Sequence, residues 1–162
     1  MSPEQPHGRT VIAITLIISL VLSIMPMPEN LQYYRLQWAA LVLIYWSMAL
    51  PERVGVGVAF FTGLLLDILT GTLLGQHAFG LSLVGFLTVK THKRVRVFPL
   101  WQQSVFVALL LFVDRILFFW VDGTIGRPAA MIESWAAPLL GGLLWPWLFI
   151  VFRDLRRRFH VR

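Results

Sequence analysis

The chain has 162 residues, 57% hydrophobic and only 14% charged, with a net charge of +6 and a mean hydropathy of +0.73. A soluble domain carries roughly a quarter charged residues, and a globule this small cannot hide so much apolar surface, so lipid must cover part of it. The absence of cysteine excludes disulfides and thiolate metal sites. The basic residues flank apolar runs instead of lying on a polar, aromatic-rich face, which argues for membrane topology and against nucleic acid.

Six apolar spans follow in chain order, with no repeat of fixed period, and the whole of residues 1–162 reads as one membrane domain. The first, Thr10 to Met25, follows Arg9 and ends at Pro26 and Pro28; no small-x-small cleavage site follows it, so it reads as an uncleaved anchor. The second runs from Tyr34 to Leu50, with Tyr33, Tyr34 and Trp38 at its start and Pro51-Glu52-Arg53 after it. Residues 54–89 cannot be one helix, because 36 residues would extend about 54 Å against a hydrocarbon core of about 30 Å. The glycines and polar side chains of Thr70-Gly71-Thr72 to Gly75-Gln76-His77 mark the corner, giving a third span over 54–69 and a short fourth over 78–89. The fifth is Leu100 to Val121. The sixth, Trp135 to Phe152, contains Pro138 and Pro146.

Charge supports this division independently. With six spans and an inward N-terminus, the inner side holds Arg9, Arg53, Lys90, Lys93, Arg94, Arg96, Arg153, Arg156, Arg157, Arg158 and Arg162. Arg35, Arg115 and Arg127 are left outside, a strong positive-inside bias over short loops. The two densest clusters, 90–96 and 153–162, share a side only if an even number of spans separates them. They read as orientation determinants that also suit anionic lipid or a cytoplasmic partner. Trp145-Pro-Trp147 reads as an interfacial belt and a helix kink.

Gly55, Ala59, Gly63, Asp67, Gly71 and Gly75 recur every four residues along the third span and its corner. Small residues at this spacing let helix backbones approach closely in lipid. The glycines and Ala59 are therefore a candidate packing stripe, within the bundle or toward another protein. Three ionisable residues are candidate intramembrane polar contacts. Asp67 must be paired, protonated or shallow, since a carboxylate at mid-membrane costs roughly 2.5–3.5 kcal/mol. Asp114 and Arg115 project about 100° apart on one helix, so each is expected to face the bundle or reach for the outer interface rather than pair with the other.

Catalysis finds little support. His7, His77, His92 and His160 have no second ligand at metal spacing, His77 and Ser82 lack a nucleophile turn, and no glycine loop carries the Lys-Ser/Thr of a phosphate-binding motif. The chain reads as a non-enzyme without cofactor, catalytic residue or metal site.

Several stretches together resemble a known family. Ile24-Met-Pro-Met-Pro-Glu-Asn-Leu31, Leu43-Ile-Tyr-Trp46, Ala49-Leu-Pro-Glu-Arg-Val-Gly-Val-Gly57, Gly63-Leu-Leu-Leu-Asp67, Leu74-Gly75, Leu100-Trp-Gln-Gln103 and Leu144-Trp-Pro-Trp147 resemble MreD, the bacterial rod shape-determining membrane protein, in its gammaproteobacterial form. The segment from Gly123 to Ser134 matches least. The resemblance implies an inner-membrane component of the machinery that inserts side-wall peptidoglycan, with MreC as direct partner. It also implies a wider complex of MreB, RodZ, RodA and a penicillin-binding transpeptidase, with self-association inside it left open. A fold similar to the substrate-binding subunits of energy-coupling-factor vitamin transporters is a further implication.

The resulting expectation is an all-α, six-span inner-membrane scaffold with cytoplasmic termini. Its rival is a small-molecule (vitamin-type) binding or transport subunit, which needs several polar or aromatic groups around a midplane pocket. Besides Asp67 and Asp114, the spans offer only Ser47, Thr62 and Ser82 in prominent positions. That scarcity favours the scaffold.

Overall fold

A computed structural model describes the backbone of residues 6–127 and 132–161 and the side chains of 8–127 and 134–161. Residues 128–131, within the segment expected outside, and Arg162 of the basic cluster lie outside the described residues. Six α-helices, and no strand, are found among those described: α1 (Pro6–Ile24), α2 (Trp38–Ala49), α3 (Val56–Thr70), α4 (Gln76–Val95), α5 (Leu100–Thr124) and α6 (Ala136–Arg158). Short 3₁₀ turns at Glu29–Tyr34 and Ile132–Trp135 precede α2 and α6. Two helices, α5 and α6, are long and apolar enough to cross a membrane.

Helix α2 is the centre of the molecule. It is apolar all round, as a helix enclosed on every side should be, and every residue from Ala39 to Ala49 is buried. Trp46 anchors it to α1, its indole N–H donating to the Thr15 hydroxyl at 2.9 Å, with both groups buried. Tyr45 packs edge-on against Phe149 of α6. Around this core, α3 lies most extensively on α4, and α5 packs between α4 and α6. The outward faces are strongly apolar: Trp101, Leu143 and Phe61 are 66%, 78% and 66% exposed, more than an isolated soluble fold leaves to water.

Differences from the expected spans have local causes. The segment expected as the second span is α-helical only from Trp38, about 18 Å of helix. Residues 35–37 leave the helical region because their side chains are bound elsewhere, Arg35 to the end of α1 and Gln37 to α5. Helix α4 continues past Val89 to Val95, since Lys90, Lys93 and Arg94 form helices well, and cations are favoured beside C-terminal carbonyls. Pro138 falls in the first turn of α6, where a missing N–H costs nothing, whereas Pro146 lies in its interior.

Candidate functional site

The corner between α3 and α4 is built around Asp67. Gly71 ends α3 in the left-handed region at φ +68°, and Gly75 precedes α4 at φ +100°, conformations that glycine adopts without steric cost. The intervening turn folds over the Asp67 carboxylate, whose side chain is fully buried. Oδ1 accepts from the Thr72 hydroxyl, the His77 backbone N–H and His77 Nδ1, each at 2.8 Å. Oδ2 accepts from the backbone N–H of Gly75 at 2.8 Å and of Ala78 at 3.3 Å. The carboxylate thus takes up unbonded N–H groups at the start of α4, where negative charge is also favoured.

Only part of the expected stripe packs. A Cβ on Gly63 would collide with the Ala78 backbone and lie 2.8 Å from the His77 carbonyl carbon. One on Gly85 would lie 2.9 Å from the Ala59 methyl. Ala59 and Gly63 therefore bring α3 and α4 into close contact. Gly71 and Gly75 do not share that role: a Cβ at either meets nothing within 4 Å, and their conformations make the turn. Gly55, ahead of α3, has only an ordinary 3.7 Å neighbour in the Pro51 carbonyl. Sequence reading missed the matching small residues on other helices. Gly80 leaves space for the Asp114 carboxylate, Gly141 for Leu111 and Gly142 for Ala108.

Asp114 and Arg115 diverge as their spacing requires. Asp114 is 7% exposed, and its Oδ2 accepts from Gln37 Nε2 at 2.6 Å. The Arg115 guanidinium lies 5.6 Å from the Phe119 ring centre, a cation–π distance, and its buried Nε has no hydrogen-bond partner. Arg35, placed by sequence at the outer end of the second span, donates from both Nη atoms to the carbonyls of Ser23 (3.1 Å) and Met25 (2.9 Å), the favoured place for a cation at a helix end. Gln76 reaches across to α5, donating to the Phe118 carbonyl at 3.0 Å and the Asp122 carboxylate at 2.9 Å.

A half-open cavity of about 390 Å³ lies between the end of α1, residues 32–40, the α3–α4 corner and the middle of α5. Arg35, Gln37, Thr70, Thr72, His77, Asp114 and Arg115 all line it. The expected scarcity of polar groups does not hold at this end of the bundle. Sequence reading missed the cavity because its walls come from four separate segments. The one signal available was the placing of Arg35 and Gln37 immediately before an apolar run. Ser82 does not join His77, its hydroxyl donating instead to the Ala78 carbonyl at 2.6 Å. Among the described residues no group of three or more His, Asp or Glu stands ready to hold a metal.

The apolar outer faces, the buried polar staples and the small-residue crossings are those of a helical membrane protein. The family model described as rod shape-determining protein MreD matches residues 6–155. The rod shape-determining protein MreD of Haemophilus influenzae is 35% identical over 142 residues, covering 88% of each chain. No solved structure matches. With the match extending from the first turn of α1 to the last turns of α6, this chain belongs to the MreD family.

Proposed function

We propose that the chain is a non-enzymatic inner-membrane scaffold of the rod shape-determining system, with six membrane spans, cytoplasmic termini and MreC as its direct partner. The observation that carries this reading is the family match over residues 6–155. MreB, RodZ, RodA and a penicillin-binding transpeptidase complete the proposed complex, and a fold like that of vitamin-binding transporter subunits is part of the same proposal.

The arrangement of charge supports the topology. At one end of the bundle, Gly8 lies against Arg53 and Val161, and an Arg96 Nη donates to the Ala49 carbonyl. The N-terminus, the α2–α3 and α4–α5 connections and the C-terminus thus meet where most of the basic residues lie, as expected of a cytoplasmic face. Arg35, the Gly71–Gly75 turn and the Gln76–Asp122 pair lie toward the opposite end. Because the native chain has no cysteine, Lys93→Cys reports orientation directly. It should resist an impermeant thiol reagent in intact spheroplasts, and ready labelling there reverses the map.

A partner surface on such a bundle is apolar helix facing lipid, which distinguishes it from neither neighbouring helix nor lipid contact in sequence. MreC should co-purify with the chain from solubilised membranes, and depletion should produce rounded cells with wall synthesis still chemically competent. Failure of MreC to associate in several mild detergents and in nanodiscs overturns the scaffold reading.

A further inference from the structure

We propose that the polar cavity is a binding site for a small anionic group, a phosphate or carboxylate, held by Arg35 and Arg115. The argument starts from charge. Two guanidinium groups and one carboxylate, Asp114, line the cavity, and among the described residues neither arginine forms a salt bridge. Arg35 spends its Nη donors on carbonyls, and its buried Nε has no partner. Buried Nε of Arg115 and Oε1 of Gln37 also lack partners. Three of the five such buried side-chain atoms therefore belong to residues of this one wall. Two of these, Nε of Arg35 and of Arg115, are donors on guanidinium groups that line the cavity, and a buried donor without a partner costs roughly 1–3 kcal/mol, which points to an acceptor-rich ligand; Gln37 Oε1 is itself an acceptor and offers an anion nothing.

The carboxylates already present do not meet this need. Asp67 is fully engaged by the α3–α4 corner, and Asp114 Oδ2 is taken by Gln37. A guanidinium presents paired N–H donors that match two oxygens of a carboxylate or phosphate. At about 390 Å³ the cavity falls within the range of small-ligand sites, roughly 300–1,000 Å³. By contrast, the basic cleft of Arg153, Arg156, Arg157 and His160 is a charge run with no buried, unpartnered side-chain atom among those four residues. The anion has two physical sources, a soluble small molecule or the headgroup of an anionic lipid.

The test uses the full chain with Thr70→Cys, a similar-sized thiol in the cavity wall and the sole cysteine in the protein. Modification by the neutral reagent iodoacetamide is timed in detergent with inorganic phosphate or with chloride at equal ionic strength. It is repeated in nanodiscs of phosphatidylglycerol or phosphatidylcholine. Phosphate at about four times its Kd should slow labelling about five-fold, since one-fifth of the sites then remain free. Protection by phosphate in detergent identifies a soluble anion as sufficient, and protection by phosphatidylglycerol alone identifies the lipid headgroup; either supports the site. Adding Arg115→Gln should abolish protection, and Arg35→Gln makes the same comparison if that variant does not fold. Equal labelling rates in all four conditions, or protection that survives loss of the arginine, overturns the proposal. No readout involves MreC, so the site and the scaffold reading stand or fall separately.

Discussion

Replacing Asp67 gives the sharpest measure of what the α3–α4 corner contributes. The carboxylate accepts backbone N–H bonds on both oxygens: His77 on Oδ1, and Gly75 and Ala78 on Oδ2. Asparagine is therefore not a harmless substitute, although it preserves shape. Whichever way its amide turns, an NH₂ group faces N–H donors on one side. With the amide oxygen in the Oδ1 position, the Gly75 and Ala78 N–H groups lose their acceptor. Each unsatisfied donor costs about 1–3 kcal/mol, and the lower end applies beside an exposed turn, so Asp67→Asn should cost about 2 kcal/mol. Asp67→Leu removes every acceptor and should cost about 4 kcal/mol by the same reasoning. Unfolding temperatures fall about 2–4 °C per kcal/mol in a chain of this size, so thermal unfolding of the purified protein in mild detergent separates the two variants from the parent and from each other. An Asn variant as stable as the parent refutes the two-sided acceptor role.

Packing, turn and tie predictions use the same assay. Gly63→Ala should destabilise, because its methyl would strike the Ala78 backbone, whereas Gly57→Ala, with open space around it, should be neutral or gain about 0.5–1 kcal/mol; equal effects remove the close-packing argument. Gly71→Ala should cost about 1–2 kcal/mol at φ +68°, and Gly71→Asn less, since asparagine tolerates that conformation; no difference between them removes the strain argument. Trp46→Phe should cost about 1 kcal/mol for the lost bond to Thr15, with no further loss when Thr15→Val is added, and strict additivity of the two changes denies the bond.

The parts of the fold written in apolar runs were legible from sequence. Helices α5 and α6 start within a residue of the expected spans, and the glycine corner falls at 71–75, because length and glycine chemistry act locally. Residues 35–37 were not legible, since their extended path depends on partners 12 and 77 positions away, Ser23 and Asp114. The four-residue stripe mixed two physical uses of glycine, close approach at Gly63 and positive φ at Gly71 and Gly75, which look alike in sequence. Asp67 stood out as a charge that had to be paired, protonated or shallow, but the donors that satisfy it are mostly backbone N–H groups, and sequence does not mark those.

The two buried carboxylates are placed for different ends. Asp67 binds groups five to eleven residues ahead of it, so its bonds close a local hairpin of helices and leave little of the group free. Asp114 instead binds a residue 77 positions away, and Gly80 leaves the space its other oxygen needs between α4 and α5. The bond to Gln37 fixes the segment whose neighbour Arg35 holds the last carbonyls of α1. A polar line therefore runs from α5 through residues 35–37 to α1 along the wall of the cavity. Each side chain in it is held by part of its hydrogen-bonding capacity. Nε of Arg35 is left buried and unpartnered in that same wall. Bonds that tie α1 and α5 to the central helix thus also fix the cavity's polar groups before any ligand arrives, and such preorganisation reduces what binding costs.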